Sequence, residues 1–122
     1  MLSPNLILLY VEDPQESAAF YTRLLRCEPV AAFPNYVAYA FEGGLTFSLW
    51  STSAANFLSS GTGHRMEVAF MVKDDAEVER LHAEWREAGV SIEQDLMTAV
   101  FGRTFVALDP DGHRLRVCTP DK

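Results

Sequence analysis

The amino-acid sequence predicts an α+β fold of two tandem βαβββ units, spanning about residues 5–51 and 65–119, that form a curved, cavity-lined mixed sheet with the helices outside. Three observations predict it. Val-Glu-Asp-Pro-Gln-Glu at Val11–Glu16 returns half a chain length later as Val-Lys-Asp-Asp-Ala-Glu at Val72–Glu77. Each copy closes an apolar run of strand length and opens a stretch with helical spacing. Short apolar runs divided by Gly, Pro, Asn and Asp then follow each helical stretch, as strands joined by tight turns would read.

The elements follow in order. Asn5–Val11 reads as a buried strand. Asp13 is placed to cap a helix over Pro14–Leu25, because its carboxylate can accept the orphan N–H groups of the first turn, Pro14 fits the first helical position, and Glu16 favours the positive helix end. Ala18, Tyr21, Leu24 and Leu25 would make its inner face. Strands are predicted near Val30–Phe33, Tyr36–Glu42 and Leu45–Ser51, with reversals at Pro34-Asn35 and Gly43-Gly44. The Ser/Thr/Gly-rich stretch Ser51–Gly63 is the connector between the copies. The second copy gives a strand over Met66–Val72, a helix over Asp75–Ala88 capped by Asp74 and stopped at Gly89, and strands near Ile92–Met97, Arg103–Leu108 and Arg114–Cys118. Asp109-Pro110-Asp111-Gly112 makes the last hairpin turn. The acidic run Asp74–Glu79 is explained by capping and the helix dipole, without any cation.

At 122 residues and 48% hydrophobic composition, the chain has the size of one domain with a real core. A net charge of −7 without a basic stripe argues against a nucleic-acid partner. No apolar stretch approaches the roughly 20 residues that span a bilayer, and the start Met-Leu-Ser-Pro does not read as a secretory signal, so the expected address is the cytoplasm. Cys27 and Cys118 lack metal or redox spacing and are expected to be free thiols.

This order of elements, together with Asp-Pro-Asp-Gly-His at Asp109–His113, resembles the glyoxalase, bleomycin-resistance and extradiol-dioxygenase superfamily, also called vicinal oxygen chelate. Within it, Val-Phe-Gly-Arg-Thr-Phe at Val100–Phe105, Arg116-Val117-Cys118, Tyr36-Val37-Ala38 and Leu49-Trp50-Ser51 are most similar to the phenazine-antibiotic resistance proteins. The resemblance implies a homodimer. It also implies a cavity in which the enzymes of the superfamily hold a metal with His, Glu or Gln from the first and last strand of each unit.

Laid on that pattern, the four ligand positions read Leu6, Ser48, Glu67 and Arg116. Only Glu67 is a ligand type. A divalent cation needs about three or four donors, and an arginine side chain stays protonated and repels it. The histidines do not repair the set. His64 lies an odd number of positions from Glu67, His82 neighbours the solvated Arg80 and Glu84 and is expected at the surface, and His113 belongs to the turn. Neither a metal nor another cofactor is therefore expected, and no catalytic residue is assigned.

Strand alternation gives the cavity face instead. If Glu67 points inward, so do Ala69 and Met71, and Arg116 shares its face with Arg114 and Cys118. Leu6, Leu8, Tyr10, Thr46, Ser48 and Trp50 line the first unit. Such a lining, mostly apolar and aromatic with a few polar groups, suits a small molecule. The candidate ligand-binding residues are Trp50 as a stacking platform, Glu67 and Arg116 as a charge pair that also meets a polar ligand group, Ser48 and Tyr10 beside them, Phe101 as a cover, and Arg103 at the mouth. For Arg103 a structural ion pair with one of the many acidic residues is expected ahead of that contact, and the faces of Tyr36, Tyr39 and Phe41 stay open. The expected function is metal-independent capture of a small planar aromatic compound, by resemblance a phenazine-type antibiotic. The alternative is a metal-dependent lyase or dioxygenase whose ligands lie one residue away.

Overall fold

The structure is a computed structural model that describes residues 1, 4–54 and 66–120. Most of the Ser51–Gly63 connector and His64 therefore lie outside the described residues. The chain divides into two compact units, Met1–Gly61 and Thr62–Lys122.

Unit 1 carries β1 (Leu6–Val11), α1 (Pro14–Leu25), β2 (Ala31–Phe33), β3 (Tyr36–Ala40) and β4 (Thr46–Ser51). The sheet order is β1-β4-β3-β2, with β1 parallel to β4 and the other pairs antiparallel. Unit 2 repeats it with β5 (Glu67–Met71), α2 (Asp75–Glu87), β6 (Ser91–Ala99), β7 (Gly102–Leu108) and β8 (Arg114–Cys118), ordered β5-β8-β7-β6. The parallel first and last strands are joined by a crossover that contains the helix, as a parallel pair requires. Each unit has its own four-stranded mixed sheet with one helix packed on it.

Both helices start where their caps dictate. Asp13 accepts from the N–H groups of Gln15 at 3.0 Å and Glu16 at 3.4 Å, and Asp74 accepts from Glu77 at 2.9 Å. Arg80 then ties Glu77 to Glu84, at 2.7 Å from the latter. The ends differ. Gly89 takes a left-handed φ of 84° just past α2, while α1 ends on Arg26, which adopts φ 57° and donates its N–H to the Thr22 carbonyl at 3.0 Å.

In unit 1 the core lies between sheet and helix. Leu9, Val11, Val37, Tyr39, Phe47 and Leu49 are buried there, and Tyr21 of α1 packs edge-on against Phe47 at 4.9 Å. Tyr39 reaches α1 as well, donating to the Ala18 carbonyl at 3.0 Å and meeting the Thr22 hydroxyl at 2.9 Å. Burial raises its pKa, partly offset by the Thr22 bond. Phe41 packs on Phe47. Tyr39 and Phe41 thus take the helix face, and Tyr36, an odd number of positions away from both, takes the other.

Unit 2 buries Val78, His82 and Trp85 of α2 against Phe105, Leu115 and Val117. The His82 and Trp85 rings stand edge-on to Phe105, and Phe70 meets Trp85. His82 is 8% exposed, which corrects the expectation of a surface histidine. It falls four residues after Val78 and three before Trp85, on the buried stripe, whatever its neighbours' polarity. Its Nε2 lies 2.7 Å from an Asp95 oxygen but is not aligned as a hydrogen bond. The Asp95 carboxyl is held below the usual range, first by the Leu96 N–H and then by His82.

The last turn closes as its sequence requires. One Asp109 oxygen accepts from the N–H groups of Asp111 at 3.0 Å and His113 at 2.8 Å, the other meets the His113 ring at 2.8 Å, and Gly112 supplies a φ of 85°. His113 is accordingly a turn residue. Neither cysteine is in a disulfide, and Cys118 is buried while Cys27 is half-buried.

Candidate functional site

The face of each sheet that turns away from its helix carries the candidate residues other than Arg103 and the turn residue Phe101, and each is described within its own unit. In unit 1 the register sets Leu6 beside Thr46, Leu8 beside Ser48, and Tyr10 beside Trp50, with Tyr36 on the other side of Trp50 and Ala38 on the other side of Ser48. Tyr10 and Trp50 meet edge to face at 6.2 Å. Ser48 is fully buried, and its hydroxyl lies 2.8 Å from that of Tyr36. Leu6 and Tyr10 are about half exposed, at 50% and 46%. This face is therefore an aromatic corner next to a pair of bonded hydroxyls.

In unit 2 the equivalent face is charged. Arg116 grips Glu67 through Nε to Oε1 at 2.8 Å and Nη2 to Oε2 at 3.0 Å, and its Nη1 donates to the Thr104 hydroxyl at 3.1 Å. Arg114, directly across from Glu67 in the parallel ladder, adds a contact to Oε2 at 2.8 Å and pairs with Glu93 at 2.8 Å. The Phe101 ring lies under the Arg116 guanidinium at 5.6 Å, within cation–π range. Hydrogen bonding from Arg116, helped by the charges of Arg116 and Arg114, holds the Glu67 carboxyl below the usual range against the opposing effect of burial. The same bond raises the Arg116 pKa.

The two faces are built alike. Leu6 and Ser48 sit on the ladder of unit 1 as Glu67 and Arg116 sit on that of unit 2, each pair one diagonal step apart. Parallel pairing thus brings together the same positions twice, and only the side chains differ.

Arg103 makes an ion pair of the kind the sequence favoured for it. It shares the helix face of β7 with Phe105, two residues on, and lies 3.4 Å from Glu79 of α2 and 3.4 Å from the Thr98 hydroxyl. It stands on the opposite side of the sheet from Arg116, where it pairs with Glu79. Sequence reasoning missed Tyr36 as the partner of Ser48, and Arg114 and Thr104 as partners within the charged cluster. Arg114 carried a signal, since it precedes Arg116 by two residues on one strand; Tyr36 carried none, because its strand is apolar on both faces.

A divalent cation does not fit this donor set. Leu6 and Ser48 offer one neutral hydroxyl between them, already bonded to Tyr36. Both oxygens of Glu67 are committed to two guanidinium groups. Among the described residues, no three His, Cys, Asp or Glu side chains come together as ligands.

An α+β chain of two βαβββ units with this ladder geometry defines a class, and the comparisons agree. Residues 3–117 match the model of the Glyoxalase/Bleomycin resistance protein/Dioxygenase superfamily, and the chain belongs to that family. It is 34% identical over 123 aligned residues to the phenazine antibiotic resistance protein EhpR of Enterobacter agglomerans, covering 98% of this chain and 94% of that one. A protein of Agrobacterium tumefaciens solved by solution NMR is 38% identical, with a TM-score of 0.88 and full coverage of both chains. A glyoxalase-related enzyme from Fulvimarina pelagi shares the fold, with a TM-score of 0.82 at 22% identity over 98% of this chain and 88% of that one. No helix among the described residues is long and apolar enough to cross a membrane.

Proposed function

We propose that the chain captures a small planar aromatic compound, an antibiotic of the phenazine type, without a metal and without turnover, and that it does so in the cytoplasm as a homodimer. One observation carries the reading. Where metalloenzymes of the superfamily place ligands, this chain places a two-point Glu67–Arg116 ion pair, a Ser48 bonded to Tyr36, and Leu6. Likeness to the phenazine resistance protein supports the ligand class. Trp50, with Tyr10 at its edge, offers a ring face on which a planar aromatic can stack. Arg116, steadied by Glu67, Thr104 and Phe101, offers charge-assisted hydrogen bonding to a carboxylate or carbonyl.

The test is a titration of chelator-treated protein with phenazine-1-carboxylate, followed by tryptophan fluorescence and melting temperature, with and without divalent metal. Saturable quenching at one equivalent per chain is expected, indifferent to metal, with ligand recovered unchanged after long incubation. Trp50→Ala should abolish it, and sedimentation should give twice the chain mass. Conversion of the ligand, or a melting temperature raised by metal alone, would return the chain to the lyase or dioxygenase class.

A further inference from the structure

The fully buried Ser48 hydroxyl has one hydrogen to donate, and the hydroxyl of Tyr36 at 2.8 Å is its partner among the described residues. Either hydroxyl can be the donor in this pair, and because a buried donor left unmade costs more than an ordinary hydrogen bond gains, burial favours Ser48 as donor and the Tyr36 oxygen as acceptor. That assignment leaves the phenolic hydrogen of Tyr36 without an acceptor in this pair. Unlike the fully buried Ser48, Tyr36 is half-buried. Its position is fixed from both ends. The backbone sets it directly opposite Trp50 across the β3–β4 ladder, and its hydroxyl is anchored diagonally over Ser48, two residues from Trp50.

We propose that Tyr36 is a specificity-determining residue. Its hydroxyl donates to an acceptor at the edge of the bound ring system, so the site selects heteroaromatic compounds with a ring nitrogen or ring carbonyl over hydrocarbons of the same shape. The inference rests on the aromatic-capture reading above. Stacking on Trp50 accepts any flat ring, since every such ring has a π face. An in-plane lone pair is what distinguishes a nitrogen heterocycle, and a neighbouring fixed O–H recognises it. Removing such a donor changes affinity for the ligand that uses it and leaves its isostere alone.

The experiment compares phenazine-1-carboxylate with anthracene-1-carboxylate, which keeps the tricycle and the carboxylate and replaces each ring nitrogen by C–H. Both are titrated into the wild-type chain, Tyr36→Phe and Ser48→Ala. In Tyr36→Phe the ratio of the two affinities is expected to fall about fivefold to tenfold towards the anthracene, as loss of one net hydrogen bond implies. Affinity for the anthracene itself should stay put. Ser48→Ala, which keeps the phenol but removes its anchor, should move the ratio in the same direction by less; if Tyr36→Phe does not fold, this ratio decides. A ratio unmoved by both variants overturns the role of Tyr36 while leaving capture intact. If neither tricycle binds the wild-type chain, the capture reading falls and Tyr36 falls with it.

Discussion

Arg116 and Glu67 are bound at two points, Nε to Oε1 and Nη2 to Oε2, although they belong to opposite ends of the unit 2 sequence. The parallel β5–β8 ladder makes this possible by setting Glu67 against Arg114 and so placing Arg116 one diagonal step away. A single carboxylate then faces two guanidinium groups.

Glu67→Gln is expected to lower stability by about 1–3 kcal/mol, because two part-buried arginines lose their shared counter-charge. The sign of the pH effect follows from the lowered carboxyl pKa. Glu67 contributes its full stability above its unfolded value near 4.5, and the contribution is lost as pH falls from there through the lower folded value. Melting curves from pH 7 down to pH 3 should show the wild-type and Glu67→Gln chains converging. Parallel curves would mean that the ionisation of Glu67 is not linked to folding.

Arg103→Ala should leave ligand affinity within about twofold of wild type and cost less than about 1 kcal/mol, since its partner Glu79 is largely exposed. Arg116→Ala in the same titration should lose most binding. Equal losses from the two would contradict the assignment of these arginines to opposite faces.

Gly102 takes φ 135°, and a Cβ added there would run into the hydroxyl of the buried Thr119. Gly102→Ala is expected to cost about 3 kcal/mol or more, from backbone strain and overpacking together. Adding Thr119→Ala should recover part of that loss by removing the clash and leave the part due to φ. A double variant no more stable than Gly102→Ala would show that the clash plays no part.

Tyr39→Phe removes a buried hydroxyl that serves both Ala18 and Thr22 of α1. A loss of about 1 kcal/mol is expected in urea unfolding, with the slope unchanged. A neutral result would mean that water or repacking replaces both contacts.

Much of the scaffold was legible because its signals are local. Asp13 followed by Pro14, and Asp74 followed by Glu77, fix the helix starts through bonds spanning two or three residues. Arg114–Cys118 alternates cleanly, and Leu115 and Val117 went to the core while Arg114 and Arg116 did not. The misread residues depend on what lies across the element. In β7, Thr104, Phe105, Val106 and Ala107 are all buried, so polarity does not reveal which face is which, and the side taken by Arg103 does not follow from the sequence. In β6 the register shifts between Ile92 and Gln94 and again before Met97, so simple alternation fails along it. His82 was judged by its neighbours in sequence when its neighbours in space, Phe105 and Asp95, decide its burial.

The Glu67–Arg116 clasp has a consequence for how the protein comes into service. A centre that depends on an acquired ion is finished only after delivery, and its occupancy tracks supply and competition from other ions. Here both halves of the clasp are translated with the chain, 49 residues apart, and meet when their sheet forms. On the proposed metal-free reading, unit 2 needs nothing delivered at this position before it can bind, in a rich medium or in a starved one.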